Sequence, residues 1–247
     1  MRLGVVVAFA AAFTISVPAW AEGELYRPAP PPETAQNFQI EFRFAPYKPQ
    51  IDSAPGVTGS PYERSFGTDV RILPALELDW QVLHIPHFGS VGPALSVGYT
   101  SASGVATFSA DGSASAESTT LEVIPFYGVA VLRVAVFEKD FGIPLIPYGK
   151  AGVGMALWRA SNDNGTSVAK NGIEGKGMTW GTHFALGIGL SLNWLDRRAA
   201  RNLDGAVGIN DTLVFFEWMF MNLDGFGQTD KLRVGTSTWV AGLSFAF

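Results

Sequence analysis

The sequence predicts an all-β protein, an eight-stranded antiparallel up-and-down transmembrane β-barrel. Three observations predict it. Eight segments alternate large apolar residues with small or polar ones at period two. The polar faces of those segments are rich in Gly, Ala and Ser, which suit a narrow lumen, so the large residues turn outward to lipid. The final segment, Trp239-Val-Ala-Gly-Leu-Ser-Phe-Ala-Phe247, sets Trp239, Ala241, Leu243, Phe245 and Phe247 on one apolar face and stops on an aromatic.

Composition agrees. Charged residues are 16% of the chain and aromatics 13%, against about 25% charged in a typical soluble domain. The net charge of −5 comes with no basic stripe, which argues against nucleic acid as a partner. There is no cysteine, so disulfides, thiolate metal sites and N-terminal cysteine lipidation are excluded. Residues 1–21 read as a secretory signal. Arg2 supplies its positive start, Leu3 to Val17 its apolar run, and Ala19-Trp20-Ala21 a small-x-small cleavage site, so the mature chain is expected to begin at Glu22. That apolar run is short for a membrane span. Pro28, Pro30, Pro31 and Pro32 make 22–36 a Pro-rich periplasmic linker, and 37–247 is the barrel domain.

The strands follow in order. The first is Phe38 to Tyr47, where Phe38, Ile40, Phe42 and Phe44 alternate with Gln39, Glu41 and Arg43. The second, about Val70 to Leu83, alternates Leu76, Leu78, Trp80 and Val82 with Glu77, Asp79 and Gln81. The third runs from about Val91 to Ala102, with Leu95, Val97 and Tyr99 against Ala94, Ser96 and Gly98. The fourth, about Thr119 to Phe137, sets Leu121, Val123, Tyr127, Val129 and Val131 outward and Thr120, Glu122, Gly128 and Ala130 inward. The fifth, about Leu145 to Arg159, sets Val153, Met155 and Leu157 against Lys150, Gly152 and Gly154. The sixth, about Met178 to Leu192, sets Trp180, Phe184, Leu186 and Ile188 against His183, Ala185 and Gly187. The seventh, Asp211 to Met221, has the weakest contrast, because Leu213, Phe215 and Met219 share a face with Glu217. The eighth is Thr236 to Phe247.

Connection lengths alternate. Intervals 48–69, 103–118, 160–177 and 222–235 are long, whereas 84–90 and 138–144 are short. Long outer loops and short periplasmic turns are the expected asymmetry. The exception is 193–210, a long connection on the periplasmic side. It reads as a short basic amphipathic helix over 194–204, capped by Asn193 and ended by Gly205. Leu195, Ala199 and Leu203 recur every four residues, with Arg197, Arg198 and Arg201 on other faces. It either lies on the barrel rim or meets anionic head groups or a periplasmic partner.

Several strings carry a family resemblance. Ala45-Pro-Tyr-Lys-Pro-Gln-Ile-Asp52, Pro61-Tyr-Glu-Arg-Ser-Phe-Gly67, Leu76-Glu-Leu-Asp-Trp-Gln81, Leu213-Val-Phe-Phe-Glu217 and Thr238-Trp-Val-Ala-Gly242 resemble an uncharacterised family of Gram-negative outer-membrane β-barrel proteins. The overall pattern is similar to the small eight-stranded barrels, the group with the OmpA membrane domain and OmpW-like proteins. The resemblance implies an integral protein of the outer membrane, with outer-membrane lipid and lipopolysaccharide as surroundings. It also implies that Trp239, Leu243, Phe245 and Phe247 are the terminal-strand signal read by the barrel-insertion machinery. It implies no activity and no oligomeric state.

The charges assigned to the lumen are the main candidate site: Glu41, Arg43, Arg71, Glu77, Asp79, Glu122, Lys150 and Glu217, with His183 as a further member. Charges at membrane depth face the interior and pair there. They form either a structural plug or a gate in a narrow polar path. Carboxylates outnumber cations, and Arg43, central on its strand, is the expected hub. A lipid-modifying enzyme is a third class, but no His-x-Ser motif follows His183, and nucleophilic catalysis needs a base beside its Ser. No catalytic residue, cofactor or metal is therefore expected. His84-Ile-Pro-His87 reads as a turn, Asp163-Asn164-Gly165 lacks the later ligands of a calcium loop, and Gly152-Val-Gly154 and Gly187-Ile-Gly189 are small lumen positions. The expected role is structural or surface-exposed, with a largely plugged lumen. The alternative is a narrow channel for small or hydrophobic solutes.

Overall fold

The computed structural model describes residues 37–107, 114–168, 172–195, 197–229 and 231–247. The expected signal and linker, 1–36, lie outside them. The strands are β1 (Phe38–Tyr47), β2 (Arg71–Trp80), β3 (Leu83–Ile85), β4 (Gly89–Gly98), β5 (Thr100–Thr107), β6 (Ala114–Val134), β7 (Leu145–Asn162), β8 (Gly165–Thr166), β9 (Lys176–Ser191), β10 (Asp211–Asn222) and β11 (Thr236–Ala246). The helices are α1 (Pro61–Phe66), α2 (Val136–Phe141) and α3 (Arg197–Val207), with a 3-10 turn over Gln50–Ser53.

Every wall pairing is antiparallel. β1 pairs with β2, β2 with β4, β4 with β6, β6 with β7, β7 with β9, β9 with β10, β10 with β11, and β11 returns to β1. The sheet is thereby closed into a barrel of eight staves, with β5 continuing the β4 stave along β6. Glu41 pairs with Ser244 and Arg43 with Gly242 across the closing seam. The Asn37 amide donates to the Phe247 carbonyl at 2.7 Å, and the Phe247 amide to the Phe38 carbonyl at 2.8 Å. Trp239 and Leu243 face outward here, and Phe245 packs edge-on to Phe42 at 6.2 Å between centroids.

The wall faces are set by side-chain period. Phe42, Leu78, Val97, Val153, Ile188 and Phe216 are exposed on the outside. Outward aromatics stack across strands, Phe38 on Trp80 at 6.1 Å and Phe216 on Trp239 at 5.8 Å. Such rungs suit a pleated surface turned to lipid.

β6 departs from the sequence expectation. Leu121, Val123, Tyr127, Val129 and Val131 are buried inside, while Glu122 and Ala130 lie on the outer face. The lumen needs filling as well as polarity. Of the seven buried charges β6 supplies only Arg133, near its turn end, and the rest of its inner face is the aromatic and branched wall against which the others pack. Glu122 is not a lumen residue. It stands outward at the long-loop end, opposite Arg159, and accepts the Tyr99 hydroxyl at 3.1 Å.

Element ends also differ. β2 ends at Trp80, and the Gln81 amide adds one last rung to its pairing with β1 by donating to the Asn37 carbonyl at 2.7 Å. The chain then forms the short β3 before the turn at His87, whose φ is +61°. β6 stops at Val134, and α2 follows. Gly142, at φ +66°, ends that helix with its amide on the Glu138 carbonyl. α3 runs through Gly205 to Val207, and Gly208, at φ +75°, closes it with its amide on Asp204 at 2.9 Å. A left-handed residue is what a helix C-terminus needs, and Gly208 adopts it. Asn193 does not cap the helix. Its side-chain amide donates to the Asn210 carbonyl at 2.7 Å and clamps the two ends of the connection.

Candidate functional site: a buried charge cluster in the lumen

Period two brings charges from five staves to one level of the barrel. β1 carries Glu41 and Arg43 inward, β2 carries Glu77 and Asp79, β6 carries Arg133, β7 carries Lys150 and β10 carries Glu217. All seven are buried.

Arg43 is the centre. Its Nη1 lies 2.7 Å from Glu41 Oε2 and 3.0 Å from Glu77 Oε2, and its Nη2 meets Glu217 Oε1. Lys150 Nζ reaches the same three carboxylates, at 2.8 Å from Glu41, 2.5 Å from Glu77 and 3.5 Å from Glu217. Arg133 Nη2 lies 2.9 Å from Glu41 Oε1 and also bonds Asp79. Each cation thus holds at least two carboxylates. A guanidinium presents its donors in a planar fork, which suits bridging of this kind. Four carboxylates face three cations in this set.

Aromatic rings enclose the charges. The Tyr148 hydroxyl donates to Glu217 Oε2 at 2.9 Å. Arg43 lies 5.6 Å from the Phe215 centroid and 5.8 Å from that of Tyr127, and Arg133 lies 5.3 Å from that of Tyr148. Cation–ring contacts of this length are attractive. Gly187 makes the Tyr148 contact fit. A Cβ there would stand 2.6 Å from both the Tyr148 hydroxyl and the Glu217 Cβ. His183 is fully buried and stacks on Tyr127 at 3.9 Å between centroids. Its ring nitrogens have no hydrogen-bond partner among the described residues.

Of the sequence-proposed set, Glu41, Arg43, Glu77, Asp79, Lys150 and Glu217 meet in one network, and His183 borders it through Tyr127. Glu122 is outside the barrel. Arg71 has the inward parity but sits at the long-loop end, where its guanidinium donates to the Phe66 carbonyl at 3.1 Å. Arg133 was missed and Tyr127 was read outward, whereas Phe215 already stood on the Glu217 face. The parity assigned to β6 would have set Arg133 in lipid, and an unpaired charge there was the signal that the strand was read inside out.

The network occupies one layer. Toward the long loops, the lumen is apolar: Tyr47, Leu73, Leu121, Met219, Met221 and Val240 pack together with Leu223 and Val234. Two loops cap this layer. In 48–70, Asp52 accepts the Tyr62 and Glu63 amides at 2.7 and 3.0 Å, and α1 buries Tyr62 in the core. α1 lies close against β5, since a Cβ on Gly104 would come 1.8 Å from the Ser65 carbonyl oxygen. In 223–235, the Val234 carbonyl accepts the Tyr47 hydroxyl at 2.6 Å. At the turn end a second polar layer links Gln39 to Ser244 and Gln81 to Gln39. A hollow of about 60 Å³ opens there beside Arg133, Ser90 and Asp211.

The remaining motifs have local roles. His87 Nδ1 lies 3.2 Å from Asp140 Oδ1, linking two turns. The Asn164 amide donates to Asn162 Oδ1 at 3.1 Å in the β7–β8 hairpin. Gly152, Gly154 and Gly187 are wall positions that admit close neighbours.

A scan against protein-family models finds no match, and a search of the curated proteins finds none. Solved structures do match. The outer-membrane protein OprG from Pseudomonas aeruginosa is 15% identical, with TM-score 0.49, over 87% of this chain and 97% of that one. Ail, the attachment invasion locus protein of Yersinia pestis, solved with the heparin analogue sucrose octasulfate, is 11% identical, with TM-score 0.40, over 86% and 97%. The N-terminal β-barrel domain of Pseudomonas aeruginosa OprF is 12% identical, with TM-score 0.37, over 86% and 98%. The chain folds as a closed eight-stranded antiparallel β-barrel, and it resembles these outer-membrane proteins at low identity.

Proposed function

We propose that this protein is a structural or surface-exposed outer-membrane barrel with a plugged lumen. It is not a catalyst. The long loops then face the cell surface and the turns the periplasm. One observation carries the reading: Arg43 and Lys150 share three buried carboxylates in a layer that the apolar core and two folded loops cover. An ion or solute would have to break that network and then cross a close-packed apolar layer. Against catalysis, His183 lies against Tyr127, and among the described residues no serine hydroxyl meets its ring nitrogens.

Planar-bilayer conductance tests this. The native barrel and Arg43→Ala should both stay at baseline, while Arg43→Ala loses heat-modifiable stability. Open-channel events in the native protein, or a clear rise in Arg43→Ala, would favour the narrow channel instead. Cysteines at Asn164 and Arg198 test the orientation in intact cells. Labelling at Arg198 as strong as at Asn164 would invert it.

A further inference from the structure

We infer that the α3 connection is a membrane-interface anchor that binds the anionic phospholipid headgroups of the leaflet beside it. The inference rests on the membrane placement above. The motive is an apolar set that the described residues leave uncovered. Trp194 is 54% exposed, Leu195 63%, Leu203 43% and Val207 59%. In a chain whose other exposed apolar side chains lie largely on the lipid-facing wall, these four belong to a connection at the turn end.

The helix is divided by its own period. At 100° per residue, Ala199, Leu203, Ala206 and Val207 fall on one arc, and Arg197, Arg198, Arg201 and Asn202 on the other. Asp204 is the one acidic residue of the 11. The apolar arc is not turned into the barrel, because Leu203 and Val207 are open.

Position selects the occupant. The connection leaves β9 at Ser191 and returns into β10 at Asp211, and the Leu192 amide on the Thr212 carbonyl at 2.8 Å fixes its exit. The exposed apolar residues of these two strands nearest that exit, Ile188, Val214 and Phe216, belong to the lipid-facing wall. The exposed residues of 194–207 therefore continue that wall at its rim. A tryptophan, an apolar arc and a basic arc are the parts of a helix lying in an interface, with its basic side among headgroups. One face of an 11-residue helix falls well short of the ~800 Å² per partner of a stable protein interface. A lipid surface needs no such area, because the barrel already tethers the helix there.

The test uses the full-length barrel in nanodiscs, which leave both membrane faces open to solvent. Val207→Cys gives a single attachment point for an environment-sensitive dye, since the native chain has no cysteine. Heat modifiability checks that each variant folds. In phosphatidylcholine discs with phosphatidylglycerol, the dye should be blue-shifted, quenched by shallow spin-labelled lipid and shielded from iodide. Replacing Arg197, Arg198 and Arg201 by Gln should remove the phosphatidylglycerol dependence. Each arginine near an anionic surface contributes about fivefold to the bound-to-free ratio. Leu203→Asp should return the dye to water. The inference is overturned if residue 207 is reached by iodide as readily as a dye at Asn164→Cys in both lipid mixtures. It is equally overturned if 207 is shielded in native outer membranes but open in the discs, because a periplasmic protein then covers the helix. Neither result depends on conductance, so failure here is separable from failure of the plugged-lumen reading.

Discussion

At the residue scale, Arg43 decides whether the lumen holds together. Three carboxylates converge on it, and Lys150 reaches all three but offers one ammonium. Removing the guanidinium leaves buried carboxylates with fewer donors than acceptors. Breaking a buried pair in this way costs roughly 3–5 kcal/mol. We expect Arg43→Ala to lower unfolding stability in urea by about that amount. Arg43→Lys should fall between, because an ammonium keeps the charge and loses the fork. Unchanged midpoints in both variants would remove Arg43 from the network. Most of this site was legible in the sequence, since a charge on the lumen parity of a membrane strand has nowhere else to go. What was not legible was the whole of the aromatic partner set. Phe215 and Tyr148 share the parity of Glu217 and Lys150, but Tyr127 has a side chain that suits lipid equally well, and only tertiary packing assigns it inward.

At the element scale, β6 shows where pattern reading stops. The strand has bulky residues on one parity and Gly128 and Ala130 on the other, so the usual membrane rule points the bulky face out. The structure reverses this, because a lumen that holds a layer of charges still needs aliphatic volume to close. Nitroxide labels distinguish the two arrangements. A label at Ala130 should be quenched by oxygen dissolved in lipid, and one at Val131 should be shielded from both lipid- and water-soluble relaxants. The opposite pattern would restore the sequence parity. A second element with its own test is the 223–235 loop. Burial works to raise the Asp224 carboxyl, but the Gly227 backbone, the Arg233 guanidinium and the Asn222 amide outweigh it and hold the group below its usual value. A carboxylate with a depressed folded value contributes stability that is complete above its ordinary value near 3.8 and is lost as pH falls through the lower folded value. The loop should therefore stay closed at neutral pH and open only in strong acid. Arg233 also donates to the Ser53 carbonyl at 3.2 Å, so both caps should loosen together. Protease nicking across 225–229, measured against pH, reads this directly. Arg233→Ala should make the loop open at higher pH, and equal nicking of both proteins at every pH would refute the role of the pair.

At the scale of the whole molecule, the lumen is closed twice, by unlike physics. The inner closure is ionic and spans five staves. The outer closure is apolar and is completed by Tyr62 from α1 and by Leu223 and Val234 from the opposite loop. Eight alternating segments were enough to predict the barrel, and connection lengths predicted its two unlike ends. The second closure was not predictable, because 48–70 and 223–235 are polar, Gly-rich stretches whose few buried residues carry no period. Two closures in series make a specific prediction about coupling. Breaking one leaves the other shut, so Arg43→Ala and Tyr62→Ala should each remain at baseline conductance. Tyr62→Ala removes a buried aromatic and should cost roughly 3–5 kcal/mol by analogy with other large-to-small core changes. That loss should add to the Arg43→Ala loss, because the two sites share no partner. Conductance should not add. Only the double variant should show open-channel events, in a barrel that still migrates as folded on unheated gels. If Arg43→Ala alone conducts, the apolar layer is no barrier and the ionic layer is a gate. If the folded double variant stays silent, the packed core closes the lumen without help from either residue.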